Sequence, residues 1–175
     1  MWSGRRRDGA TDIREAGPAD LDDIIALHTR ARIAYYGAGG LPVEEIVTPE
    51  SARQQREGWT AAVAAPHKHV RCARMAGRLV GLLAMGPPHV PEANAAQLYQ
   101  IHVDPDRWAG GIGCALHGHF LRHLETEGVS VGVLEVWERN VRARAFYTRL
   151  GWHPDGTSRP GPADAPYLGM RLTHP

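Results

Sequence analysis

Lysine is nearly missing from this chain of 175 residues: Lys68 is the single one, and arginine carries the rest of the side-chain positive charge. That skew, with 20 glycines and 13 prolines, points to a GC-rich bacterial genome and says little about mechanism. Excess charge is missing too. A formal net charge of +1 argues against the strongly basic surface that nucleic-acid binding requires. Cysteine is scarce. Cys72 and Cys114 stand far apart in no metal-ligand spacing, so both read as free thiols of a reducing cytosol. No long apolar run is present, so no membrane span is expected. Segment 1–10 holds Arg5, Arg6 and Arg7 with no hydrophobic stretch behind them. It reads as a disordered polar tail, neither signal peptide nor anchor. Residues 11–175 suit one domain, and the 43% hydrophobic content allows a proper core.

What is present is concentrated in residues 98–116. A strand is ended by Pro105, and a turn containing Gly110, Gly111 and Gly113 opens a helix. A helix start leaves backbone N–H groups unpaired at the positive end of its dipole. Glycines there keep no side chain between those donors and a phosphate, so the turn is a candidate anion cradle. Two better-known cradles are excluded. A nucleotide-binding Walker loop needs Lys-Ser/Thr after its last glycine, where Cys114 and Ala115 stand. A dinucleotide fingerprint needs a small residue where Leu116 stands.

Residues 133–152 form the second informative segment: a β-branched run, then Asn140 at an N-cap position, then a helix ended by Gly151. Phe146 and Leu150 share a face of that helix at i, i+4. Asn140, Ala143, Phe146, Tyr147, Gly151 and Trp152 match the pattern Asn-x-x-Ala-x-x-Phe-Tyr-x-x-x-Gly-aromatic in full. Together the two segments resemble the GNAT acetyltransferase superfamily, strongly over residues 95–152 and more loosely over 11–172. The family's pyrophosphate loop usually begins with Arg or Gln and then Gly, whereas this chain has Trp108 and Ala109.

Along the chain, residues 11–16 read as a strand, and Pro18 with the acidic residues after it opens a helix that stops before Gly37. A second helical region covers 43–65 and is interrupted near Pro49. Strands at 69–75 and 78–85 are joined by Ala76 and Gly77, a hairpin signal. After a loop at 86–94 come a strand at 96–103, the helix to about Glu127, and a strand at 129–136. The helix after Asn140 follows. Residues 151–166 read as a Gly/Pro/Asp-rich loop and 167–173 as a closing strand. This order gives α+β, with a largely antiparallel sheet. The resemblance implies the GNAT fold: a mixed, mostly antiparallel sheet with splayed central strands and helices on both faces.

The resemblance also implies a chemistry: direct transfer from acetyl-CoA to a primary amine in a ternary complex. The Ile101 N–H faces the acetyl oxygen and Val103 pairs with the pantetheine arm. Trp108, Ala109, Gly110, Gly111, Ile112, Gly113 and Cys114 surround the pyrophosphate, Asn140 lies near the cofactor, and Tyr147 protonates the departing thiolate. Tyrosine is protonated at neutral pH, as a general acid must be.

The general base is left open. Gln97 stands where some relatives carry a catalytic Glu, and an amide is no base. The candidates are Glu92, His102, Glu135 and water between them. Tyr35 and Tyr36 match an aromatic position lining the acceptor cleft in relatives. Tyr99, on the strand of Ile101, is a third acceptor candidate. His119 and His123 stand at i, i+4 but share a sector with Ile112 and Leu116, so they read as core histidines, with His117 pointing elsewhere. His67 to His69 read as the exposed start of a strand, and Cys114 as packing. No metal is expected. The acceptor is read as a small-molecule amine, with no nucleic-acid or membrane partner, in the cytoplasm. A homodimer is left open. The alternatives are a non-catalytic acyl-CoA-binding module, and transfer to a protein or tRNA amine.

Overall fold

A computed structural model describes residues 11–174. The tail expectation for 1–10 therefore lies outside the described residues. Seven strands form one sheet: β1 (Asp12–Glu15), β2 (His69–Met75), β3 (Arg78–Gly86), β4 (Ala95–Val103), β5 (Val131–Trp137), β6 (His153–Arg159) and β7 (Tyr167–Thr173). Their order is β1-β2-β3-β4-β5-β7-β6. β4 and β5 run parallel, and the other neighbours are antiparallel. The expected α+β class and mostly antiparallel sheet are borne out.

Five helices cover the two faces: α1 (Leu21–Ala38), α2 (Val43–Ile46), α3 (Pro49–Ala64), α4 (Ile112–Glu127) and α5 (Val141–Arg149). Local chemistry sets several ends. Thr48 caps α3 by accepting from the Ser51 amide at 3.0 Å, Ser51 returns the bond, and Pro49 fills the first turn. This is the physical form of the break expected near Pro49. Ala76 and Gly77 both adopt positive φ, as a two-residue hairpin requires.

On one face Leu116, Phe120 and Leu124 of α4 and Trp152 after α5 pack with Leu83, Leu98 and Leu134 of the sheet. Opposite, α1 and α3 bury Ile24, Leu27 and Trp59 against Val70, Cys72 and Leu82. Burial raises the Cys72 thiol to about 11. His117 sits in the first core at 4% exposure, where its Nε2 accepts from the Trp152 indole at 2.9 Å. That corrects the expectation that His117 points away and His119 and His123 inward: those two are half-buried. His117 shares the face of Phe120 and Leu124, one residue round from the sector assumed. Cys114 is exposed, so it is no packing residue. His69 is half-buried, against the exposed strand start expected.

One strand escaped the sequence reading. β6 lies inside the expected 151–166 loop, and all seven of its residues are exposed. It is held by backbone pairing to β7 with an irregularity between Pro154 and Ser158, so no hydrophobic alternation marks it.

Candidate active site

The central strands part in the middle of the sheet. β4 and β5 pair at Ala95, Ala96 and Gln97 and no further, while β4 stays paired with β3 to Val103. The Asp104 amide donates to Val80 of β3 at 2.9 Å. Amides alternate sides along a strand, so those of Ile101 and Val103 face the gap. The register also shifts in β4: Met85 and Ala84 are consecutive on β3, yet their partners are Leu98 and Gln100. Tyr99 is the extra residue of this bulge. A strand period of two would put Tyr99 and Ile101 on one face. Instead Ile101 packs on the first core and Tyr99 on the second.

Beyond β4 the chain turns tightly into α4. Gly111 caps the helix at φ 80°, a left-handed conformation natural to glycine. Among the described residues, no side chain caps this end, and the amides of Ile112, Gly113 and Cys114 have no protein acceptor. Gly113 does other work: a Cβ there would lie 3.3 Å from the Phe146 ring, so its absence lets α5 approach α4. Ala109 holds φ 64° where the family has its usual glycine, at a strain of about 1 kcal/mol.

Sequence reasoning missed two residues that build this turn. Asp104, 1% exposed, takes ion pairs from Arg30 at 3.0 Å and Arg78 at 3.2 Å and accepts from the Asp106 amide. Arg142, at the start of α5, lies 4.1 Å above the Trp108 ring, and the Trp108 indole donates to the Val103 carbonyl. Its position two residues after the Asn140 cap was the available signal. Asn140 caps α5 as expected, accepting from the Ala143 amide at 3.1 Å.

Tyr147 faces the first core beside Phe146 and Trp152, and is 7% exposed. Its hydroxyl has no protein partner among the described residues, and burial raises its pKa well above the usual phenol value.

The acceptor candidates lie on the opposite face. His28, Arg32 and Tyr35 follow at i, i+4 and i+7 on α1. His102 of β4 meets His28 at 4.6 Å and stacks with Tyr35 at 6.1 Å between ring centres. Gln100 Oε1 lies 2.8 Å from His102 Nε2; with Nε2 as donor, Nδ1 is left free. Burial lowers His102 to about 4, with Arg32 adding to the effect, so the ring is neutral at pH 7. Tyr36 reaches the hydroxyl of Tyr167, and Trp137 donates to the Ala165 carbonyl. Glu135 alternates with Trp137 onto this face and pairs with Arg159 at 2.5 Å. Glu92 pairs with Arg171. The structure thus joins Tyr35, Tyr36 and His102, holds both carboxylates in ion pairs, and places Tyr99 apart, bonded to the Pro87 carbonyl.

The fold has close counterparts among known proteins. Residues 31–152 match the acetyltransferase (GNAT) family. The PaiA N-acetyltransferase of Thermoplasma acidophilum, solved with coenzyme A, superposes with a TM-score of 0.79 at 19% identity, covering 94% of this chain and 99% of that one. The ribosomal-protein-S18-alanine N-acetyltransferase of Escherichia coli gives 0.70 at 22%, covering 94% of each. In sequence, the same E. coli activity is represented by a protein 43% identical over 58 residues, 33% of this chain and 39% of that one. A mycothiol acetyltransferase of Streptomyces coelicolor is 39% identical over 61 residues, 35% of this chain and 20% of that one. The chain therefore spans well under half the length of these two curated relatives. No helix among the described residues is long and apolar enough to cross a membrane. With a matching family model over most of its length and the splayed sheet beside the glycine turn, the chain belongs to the acetyltransferase (GNAT) family.

Proposed function

We propose that the protein is an acetyl-CoA-dependent N-acetyltransferase that acts on a primary amine of a small molecule. The observation that carries this reading is the continuity of two runs of backbone amides that have no protein acceptor. The open edge of β4 at Ile101 and Val103 runs directly into the free amides at the start of α4. An extended arm ending in a diphosphate fits such a surface, by strand-like pairing and then by the helix start.

Acetyl-CoA supplies a thioester carbonyl. The Ile101 amide polarises that oxygen as negative charge develops on it. As the amine nitrogen bonds to the carbonyl carbon it becomes cationic and acidic, and neutral His102, with Nδ1 free, accepts its proton at that stage, with Glu135 and Glu92 the carboxylate alternatives. The carbon–sulfur bond breaks, and Tyr147 gives its proton to the sulfur. Asn140 and Arg142 flank the arm from α5.

A small acceptor is favoured by the closed end of the cleft. Tyr36 with Tyr167, Trp137 with Ala165, and Arg139 with the Gly39 and Ala163 carbonyls tie α1 to the strand ends around β5 and β7.

Thiol release from acetyl-CoA in the presence of a panel of primary amines tests the reading. Release with at least one amine is expected, together with saturable coenzyme A binding by calorimetry. Binding without release across the panel would overturn the small-molecule acceptor and leave a macromolecular amine or a non-catalytic module, which release with peptide amines would separate. No binding would overturn the cofactor assignment.

A further inference from the structure

His69 opens β2, and α4 crosses that end of the sheet with His123 and Glu127 one helical turn apart. The His69 and His123 rings lie 4.8 Å apart between centres, tilted by 54°. One ligand atom from each of His69, His123 and Glu127 falls within 4.8 Å of the others. We propose that these three side chains form a binding site for a divalent transition-metal ion of the zinc class, with water completing the coordination.

The chemistry of the donors selects the ion. Two imidazole nitrogens and one carboxylate oxygen suit zinc, nickel or copper, whereas magnesium and calcium favour all-oxygen sets. Zinc–nitrogen bonds of about 2.0–2.1 Å put neighbouring ligand atoms ~3.4 Å apart in a tetrahedron. Binding would draw these atoms, now within 4.8 Å of one another, together by side-chain rotation. The donors are also free to turn. His28, His102, His117 and His174 each engage a ring nitrogen with a protein partner. The side chains of His69, His123 and Glu127 make no hydrogen bond among the described residues.

Charge near the site is mixed. Arg71, two residues along β2, contributes positive charge, and its nearest carboxylate is Glu15 at 3.9 Å. Burial, His69 and Arg71 all favour a neutral His123, the form that binds metal, while the Glu127 carboxylate opposes them. The cluster is separate from the acyl-transfer site. His123 lies ten residues beyond Gly113 along α4, about 15 Å. A metal there would clamp β2 to α4, two elements that otherwise meet through apolar packing, and would stabilise the fold by mass action.

The test uses the full chain, stripped with chelator and titrated with zinc chloride alone. Calorimetry should give one strong site per chain. Zinc at a hundredfold excess over Kd should raise Tm by about 5–11 °C, and magnesium should not. His69→Asn and His123→Asn should each weaken zinc binding at least tenfold, and Glu127→Gln by about tenfold. Far-UV circular dichroism of the variants without metal separates lost ligation from misfolding. No zinc binding by the wild-type chain would overturn the site. So would unchanged affinity in properly folded His69→Asn and His123→Asn, since another of the ten histidines would then be the ligand. Because the readout is metal binding, it fails or succeeds independently of acetyl transfer.

Discussion

The indole N–H of Trp108 donates to the carbonyl oxygen of Val103 at 3.1 Å, tying the glycine turn back to the open strand edge. That bond orients the indole, and Arg142 lies over its face. The chain thereby brings a cation from α5 to a loop that lacks the family's usual Arg or Gln. Arg142→Met should lower coenzyme A affinity five- to tenfold by calorimetry, with a smaller effect at high salt. An unchanged affinity would show that the guanidinium does not face the diphosphate.

Tyr147→Phe keeps the packing against Phe146 and Trp152 and deletes one hydroxyl. The turnover rate should fall by about ten- to a thousandfold with coenzyme A affinity little changed. Because burial raises the Tyr147 pKa, its proton should be retained through the ordinary assay range, and no alkaline loss of rate is expected below pH 10. A wild-type rate in Tyr147→Phe would assign thiolate protonation to water.

His102→Phe should reduce kcat/KM about a hundredfold, while Glu135→Gln and Glu92→Gln should each change it less than fivefold. The His102 pKa is lowered to about 4, so the ring stays neutral as pH falls through 6.5 and takes its proton only near 4. The kcat/KM profile should therefore show no acid limb at 6.5 from this residue. A larger loss in Glu135→Gln than in His102→Phe would transfer the base role to the carboxylate.

Arg32 faces the acceptor side near Tyr36 and has no carboxylate partner among the described residues. The tyrosines and histidines around it are neutral at pH 7. A multiply charged polyamine would have to desolvate there without compensating anions. Aromatic or aliphatic monoamines should react faster than spermidine or lysine-rich peptides in a thiol-release screen. A clear preference for polyamines would reverse this reading of the cleft.

Asp20 is 3% exposed and holds Arg14 and Arg74 at the junction of β1, β2 and α1. The Arg14 hydrogen bonds lead in holding its carboxyl well below the usual range, against the opposing effect of burial. A depressed folded pKa adds stability above the unfolded value, near ~4, and loses it as pH falls further. Asp20→Asn should cost about 2 kcal/mol at pH 7, measured by urea unfolding, and the difference should shrink below pH 4.

Much of this architecture was legible because its signals are local. Pro49 with Thr48, the Ala76–Gly77 turn, Asn140 and Gly151 each fix a boundary through groups within four residues. The Gly111 turn before α4 is of the same kind. β6 was illegible because its partner is the β7 backbone and its own side chains meet solvent. The Tyr99 bulge was hidden likewise, since an extra residue is visible only against the opposing strand.

The sequence by itself determined the order of elements, the position of the glycine turn and the family motif around Asn140 and Tyr147. All of these rest on spacing along the chain. Tertiary structure decided which charges are paired and which are free. Arg30 and Asp104 are 74 residues apart, Glu92 and Arg171 79, and only folding brings them together. It likewise decided that His102 lies between His28 and Tyr35, and that His69 meets His123 and Glu127. Electrostatics and coordination depend on distance through space, which spacing along the chain does not set.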